Sequence, residues 1–468
     1  GTTQKFSLEV FGMAVGQVLK MLNLQLQKKE WKMNTARVLF LLAALTGSGF
    51  LQAQTLPLEE AIKKSLSQNL NIQLTDQSIA IAEEQNSIGN AGMLPTIDLN
   101  AGGSYSNSNA ELTILGLPEP LNVTGAQATA LNTSLNLNYV LFNGFAAQST
   151  YKKFGIALDL ANTQKRMAVE GTILQVIASY FQVASLQKND AALAESIAIS
   201  KDRLDRAKVR YDYGGNKVDL LSAEVDYARD SINFLNNRVA LSAAQKNLSF
   251  LMGDQEFTSS YEVEEEVAFL ETLNLEELWK NAEGSNAAFQ NAQQSILLAE
   301  QDAKLSRSGA FPTISLNSSY SFSQSENEAS QLQKAVNNGF SAGLSLNYRL
   351  YGGGQRRSQS KMAAINLKSQ LLNKENQERL LRKDLEVAYS EYITKWKVVA
   401  MEEKNIKTAE LNFQRSKELF NLGKLTNTQF REAQLNLTRS RILLSQSKYE
   451  LKISESNLLQ LSGSLLSN

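Results

Sequence analysis

From Gln355 to Leu422 the chain runs 68 residues without a glycine or a proline. Turns depend on these two residues, so this stretch cannot alternate short elements with turns. It reads as very long helix. At 1.5 Å per residue it reaches about 100 Å, more than one globular core can bury. Proline is scarce throughout: five in 468 residues, against an ordinary usage of about 5%. They are Pro57, Pro95, Pro118, Pro120 and Pro312, which leave 121–311 and 313–468 without any and free for helix.

Those intervals carry heptads. Phe430, Leu437, Leu444, Leu451 and Leu458 are each seven residues apart, as are Leu220, Tyr227, Phe234, Leu241 and Leu248. The longest run gives Leu385, Tyr392, Val399, Ile406, Phe413 and Phe420. Its counterpart gives Val176, Val183, Asp190, Ile197, Leu204 and Tyr211, broken once by Asp190. A sustained seven-residue repeat imposes coiled-coil packing, so the apolar stripe is core. The pattern predicts paired helices over 145–213 with 217–252 and over 355–422 with 425–462. Each pair turns at glycine, at Gly214-Gly215-Asn216 and at Gly423-Lys424-Leu425-Thr426. A glycine C-cap followed by a new helix start is a helical hairpin.

The chain repeats itself once. Leu94-Pro95-Thr96-Ile97-Asp98-Leu99-Asn100 recurs as Phe311-Pro312-Thr313-Ile314-Ser315-Leu316-Asn317, an offset of 217. Leu135-Asn136-Leu137-Asn138-Tyr139 recurs as Leu344-Ser345-Leu346-Asn347-Tyr348, an offset of 209. Leu251-Met252-Gly253 recurs as Leu461-Ser462-Gly463. The first repeat spans 54–253 and the second 272–468. The short acidic segment 254–271 joins them midway along the helices and reads as a solvated linker.

Each repeat also holds two alternating runs. After Pro95, Ile97, Leu99, Ala101, Gly103 and Tyr105 oppose Asp98, Asn100, Gly102, Ser104 and Ser106. Leu131, Thr133, Leu135, Leu137, Tyr139 and Leu141 alternate with Ser and Asn. The second repeat does the same over 314–323 and 340–350. Period two marks strands, in hairpins over 95–143 and 312–351, the first with an outer loop at 106–130. One apolar and one Ser/Asn face fits either a half-buried soluble sheet or a membrane barrel with a wet lumen. The runs match the roughly 9–11 residues a bilayer needs, and aromatic residues lie at their ends. Four strands cannot close, because the smallest membrane barrels have about eight and open edges are forbidden in lipid. Membrane-spanning strands would oblige several chains to share one barrel.

Residues 33–53 have the pattern of a signal peptide, with Arg37, the apolar run Val38–Leu45 and Leu51-Gln52-Ala53 as a cleavage site. Residues 1–32 match nothing later and read as upstream sequence or a mis-set start. No later segment has 18 consecutive apolar residues, so no transmembrane helix is expected.

The chain has no cysteine and no histidine, and its 47 basic residues balance 47 acidic ones. That removes thiolate and imidazole catalysis, disulfides and zinc fingers, and gives no basic excess for nucleic acid. Glu59-Glu60 and Glu276-Glu277 are adjacent on helices and diverge by about 100°. No converging catalytic or metal site is visible. Gly352-Gly353-Gly354 lacks the Lys-Ser/Thr of a phosphate loop and reads as a tight turn.

Export signal, duplication, two membrane-type hairpins and four long helices with glycine tips together resemble the TolC family of outer-membrane efflux proteins, over about 55–463. The carrying motifs are the strand entries Leu94-Pro95-Thr96-Ile97 and Phe311-Pro312-Thr313-Ile314 and the exits Leu141-Phe142-Asn143-Gly144 and Leu350-Tyr351-Gly352-Gly353. Arg210-Tyr211 with Gly214, followed by Asp219-Leu220-Leu221-Ser222-Ala223, is the most family-like. The resemblance implies a mainly α fold with a membrane β-barrel part. Three chains would share a twelve-stranded barrel in the outer membrane, continued by a periplasmic α-barrel. It implies a passive conduit of a tripartite efflux or type I secretion system, not an enzyme, with no cofactor. The tips Gly214, Gly215, Asn216, Lys217, Gly423, Lys424, Leu425 and Thr426 would meet a periplasmic adaptor that links to an inner-membrane transporter. The family's acidic entrance ring falls on Gln429 and Glu432, so three acids stand in a trimer where six are usual. Asp219 matches a latch aspartate. Lys424 is its nearest basic candidate, since Leu425 stands at the usual basic position. The alternative is a coiled-coil structural or surface protein with no transport role, which explains the heptads but not the strands.

Overall fold

A computed structural model of the chain describes residues 55–113, 120–255, 261–270, 273–330 and 332–466. The signal peptide, residues 1–32 and Pro118 lie outside them. The first repeat contains β1 (Thr55–Leu56), α1 (Leu58–Gln68), α2 (Leu70–Gln85), β2 (Thr96–Leu112), β3 (Leu121–Phe142), α3 (Ala146–Asp212) and α4 (Lys217–Leu251). After β4 (Glu262–Val263), the second contains α5 (Leu275–Ser285), α6 (Ala287–Ser308), β5 (Thr313–Asn327), β6 (Lys334–Asn347), α7 (Gln355–Asn421) and α8 (Asn427–Leu461). The duplication is exact at the long helices: α3 and α7 have 67 residues each, α4 and α8 have 35 each.

The helices form a layer whose membership changes along its length. Next to the sheet, α2, α3, α6 and α7 lie side by side. Toward the tips the order is α4, α3, α8, α7. The heptad residues meet as expected on α7 and α8, where Leu385, Tyr392, Val399, Phe413, Phe420, Phe430, Leu437, Leu451 and Leu458 are buried. On α4 the expected stripe is covered less well: Leu220, Tyr227, Phe234 and Leu241 are half-buried. The helix lies at the edge of the layer and packs mainly along α3, meeting α8 through the Asp226 and Asp230 side chains near the tip. Its opposite flank exposes a second series, Val218, Leu221, Val225, Ile232, Leu235 and Val239, each between 49% and 71% exposed. By length and composition alone α3 holds a stretch that could cross a membrane. More than half of that stretch is buried within the helical layer, as befits a core helix.

The linker is not simply solvated. β4 pairs in parallel with β1, Val263 is buried, and Tyr180 of α3 fixes both strands. Its hydroxyl donates to Leu56 O at 2.6 Å and accepts from Glu264 N at 2.9 Å. The acidic side chains Glu262, Glu264, Glu265 and Glu266 are exposed, as expected.

The four long strands form one antiparallel sheet in the order β2-β3-β5-β6, with β2 and β6 as open edges. They run 17, 22, 15 and 14 residues, longer than the bilayer minimum and with a shorter first-hairpin loop than expected. A continuous ladder carries β2 to Leu112 and starts β3 at Leu121, interrupted by a bulge between Ser108 and Ala110. β6 ends at Asn347, short of the expected Leu350; among the described residues no strand pairs with 348–350. Helix α8 starts at Asn427 rather than 425. Thr426 is its N-cap, in a capping box with Gln429.

Candidate conduit wall and entrance

The register brings every apolar run to one face. Leu99, Leu135, Tyr320 and Phe340 lie in one cross-strand row, and Ile97 faces Leu137 two positions away. The neighbouring row on the other face is Asp98, Asn136, Ser319 and Ser341. The apolar face is bare: Leu99, Phe340 and Leu344 are each 71% exposed. An uncovered apolar sheet of this size marks an interaction surface. The polar face carries short amide and hydroxyl ladders, with Ser319 Oγ donating to Asn136 Oδ1 at 2.8 Å and Asn317 Nδ2 to Ser345 Oγ at 2.9 Å. One face suits lipid and the other water.

At the far end of the helices, both turns use glycine for backbone reasons. Gly214 and Gly423 have φ of 93° and 69°, where a side chain costs energy. Gly215 N donates to Arg210 O, and a Cβ on Gly215 would sit 2.7 Å from that oxygen. The tip residues are exposed except Leu425, which packs against the Phe413, Phe420 and Phe430 cluster. Arg210 stacks over Phe420 and Arg206 Nη1 donates to Asn421 Oδ1, joining the two hairpins near their tips.

Among the proposed gate residues, Glu432 is exposed on α8 and has no ion-pair partner among the described residues. Asp219 and Lys424 are likewise exposed, and the structure does not pair them. Gln429 is consumed locally: its Oε1 accepts from Thr426 N at 3.1 Å and from Thr426 Oγ1 at 2.9 Å. A side chain locked in a capping box is a poor lining group for a pore.

What does join the hairpins is a buried polar network that the heptad reading missed. Arg203 of α3 donates to Asp226 Oδ2 at 3.0 Å and to Asn427 Oδ1 at 2.9 Å. Arg431 of α8 binds Asp230 of α4 with both terminal nitrogens. Gln434 Nε2 donates to Ser196 O and Oγ, both at 2.9 Å. Burial pulls the Arg203 pKa down against the attraction of Asp226. Burial also opposes charge on Arg431, but the bonds to Asp230 outweigh it and its pKa is raised. Arg431 Nε makes no hydrogen bond and lies 3.6 Å from Asp226 Oδ1. The available signal was an arginine directly after the heptad residue Phe430, with Asp226 and Asp230 one turn apart on α4.

A family model described as "Outer membrane efflux protein" matches residues 61–254 and 278–464, the two repeats without their linker. The chain belongs to that family. It is similar to outer membrane protein TolC of Vibrio cholerae, 22% identical over 402 residues that cover 80% of this chain and 83% of that protein. It is also similar to outer membrane efflux protein BepC of Brucella suis, 21% identical over 437 residues covering 92% and 89%. Its fold matches the CmeC outer membrane channel of Campylobacter jejuni with a TM-score of 0.74 at 15% identity, covering 87% of this chain and 86% of that one. As an outer membrane efflux protein it resides in the outer membrane and extends into the periplasm. The coiled-coil surface-protein alternative is not favoured.

Proposed function

We propose that three copies close one twelve-stranded barrel, with the Ser/Asn face lining the lumen, and that their helices continue it as a periplasmic tube. The carrying observation is the four-stranded sheet with segregated faces and two open edges. Such a sheet is viable in lipid only when its edges are paired. The exposed heptad series on α4, Val218 to Val239, supports a second copy packing there. The protomer acts as a passive conduit, and the glycine tips dock a periplasmic adaptor that links it to an inner-membrane transporter. At the entrance Glu432 supplies the acidic ring. Gln429 caps its helix, and Asp219 and Lys424 act, if they pair at all, between copies. Adaptor binding at Gly214–Lys217 and Gly423–Thr426 favours a state in which the helices around Asp219 and Glu432 splay apart.

Two measurements test this. The mass of the detergent-solubilised protein is expected to be that of a trimer. In planar bilayers, Glu432→Ala is expected to raise single-channel conductance and relieve block by divalent cations. Unchanged conductance and block would remove Glu432 from the gate.

A further inference from the structure

The two β-hairpins are copies of each other down to their register. Thr96 pairs with Asn138 at the helix end of the first, and their repeat mates Thr313 and Asn347 pair at the helix end of the second. Between the hairpins lies the β3–β5 junction. Its counterpart is absent within one chain, because it would be formed by the two open edges, β6 and β2.

The end of β6 carries the mark of that missing partner. β2 pairs with β3 only as far as Asn138, yet β3 continues to Phe142 because β5 holds it: Tyr139 faces Leu316, Val140 faces Ser315 and Phe142 faces Ile314. The repeat mates of Tyr139, Val140 and Phe142 are Tyr348, Arg349 and Tyr351. They are exposed and unpaired, and β6 stops before them.

We infer that β6 of one copy pairs with β2 of the next in the register of β3–β5, which sets Arg349 directly opposite the partner's Asp98. Applying the repeat offsets to the β3–β5 ladder also places Asn347 opposite the partner's Asn100, Tyr348 opposite the partner's Leu99 and Leu346 opposite the partner's Ala101. Over 346–349 each polar position then meets a polar one, and each apolar position an apolar one. The neutral internal pair Val140 and Ser315 becomes an arginine and an aspartate at the outer junction. Both are exposed, and neither has an ion-pair partner within the chain among the described residues.

The charges do something that alternation cannot. A one-residue slip would turn apolar residues to the polar face and is excluded by the pattern alone. A two-residue slip preserves the faces, and only a specific pair distinguishes it. Opposite charges directly across an antiparallel ladder favour one register over its two-residue neighbours. The internal junction needs no such device, because its strands belong to one chain. In the closed barrel three Arg349–Asp98 pairs form a ring on the polar face at the helix end.

This rests on the trimeric-barrel reading above. The chain has no cysteine, so pairs can be introduced into a clean background. Cα atoms directly opposite in such a ladder are about 4.5–5.5 Å apart, within disulfide range. Oxidation of Asp98→Cys with Arg349→Cys is expected to give a covalent trimer that reduction dissolves. Asn100→Cys with Arg349→Cys, two residues off, is expected to stay unlinked. Linking of the second pair but not the first, or of neither in a protein whose mass is still a trimer, overturns the register. A monomeric mass for the unaltered chain overturns the trimer reading itself. A second arm does not depend on the cysteines. Asp98→Arg and Arg349→Asp should each lower the temperature at which the trimer dissociates, and the two together should restore it. Absence of restoration also counts against the pair.

Discussion

Arg431 of α8 grips Asp230 of α4 through two hydrogen bonds of 2.6 and 2.7 Å, with both side chains 8% exposed or less. The residues are 201 positions apart and belong to different helical hairpins. Because the pair is buried, its weight lies mainly in what happens when it is broken.

Asp230→Ala leaves a buried guanidinium whose remaining acid among the described residues is Asp226, at 3.6 Å. Removing one partner of a buried pair costs about 3–5 kcal/mol, whereas replacing both by apolar groups can be neutral. Thermal unfolding of the purified protein should therefore show a large loss for Asp230→Ala. Asp230→Leu combined with Arg431→Met should recover most of it. Equal losses in both would mean that the charges themselves stabilise the tip.

The two strand-to-helix glycines should respond differently to alanine. Gly144 has φ of 67°, and its Cβ would stand 2.3 Å from Ser308 O and 2.9 Å from Phe311 Cβ. Its repeat mate Gly353 has φ of 60° but nothing within 4 Å. Gly353→Ala should cost about 1–2 kcal/mol for the left-handed backbone alone. Gly144→Ala must also push α3 away from the end of α6, so it should cost clearly more. Comparing folded yield and unfolding temperature of the two variants checks this.

Ile232 is 57% exposed in the middle of the outer α4 series. Ile232→Asp should leave the protomer fold intact, because most of the side chain is exposed. The charge would instead fall in the seam that a second copy covers. Size measurement in detergent should show loss of trimer, while circular dichroism keeps its helical signal. Retention of the trimer would place the seam elsewhere.

Tyr180 is pushed up to about 12 by burial, which outweighs the lowering effect of the hydrogen bond from Glu264 N; the nearby Glu264 and Tyr449 charges add to the rise. A raised pKa means that the folded state favours the neutral hydroxyl. The stability this provides is complete below the ordinary tyrosine value near 10 and is lost as pH rises through 12. The protein should therefore weaken between about pH 10 and 12. Tyr180→Phe should reduce that alkaline loss without abolishing it, since Tyr392 and Tyr449 are raised as well. At neutral pH the same variant leaves Glu264 N without its bond and should cost about 1–3 kcal/mol. Unfolding midpoints across this pH range decide it.

The long helices, their glycine turns and the alternating strands were legible because each is a local periodicity. The Leu437 and Leu451 series falls into the core, and Ile97 and Leu99 share a face, as spacing alone requires. The entrance was legible only in part. Glu432 is exposed, but the pattern did not show that Gln429 would be taken by Thr426, nor that Asp219 and Lys424 would stay apart. Nor could it show that Arg203, Asp226, Asp230 and Arg431 converge, because they lie on three helices and two repeats.

The sequence by itself determined which residues form helix and strand, which face of each is apolar, and that the whole is built twice. These follow from backbone geometry at periods of two and seven. The tertiary structure decided which elements become neighbours. It set α3 beside α8, so that a buried ion network ties the two tips. It joined β3 to β5, so that β3 runs to Phe142 while β6 stops at Asn347. Such contacts join residues some 200 positions apart, and no local periodicity specifies a partner at that distance.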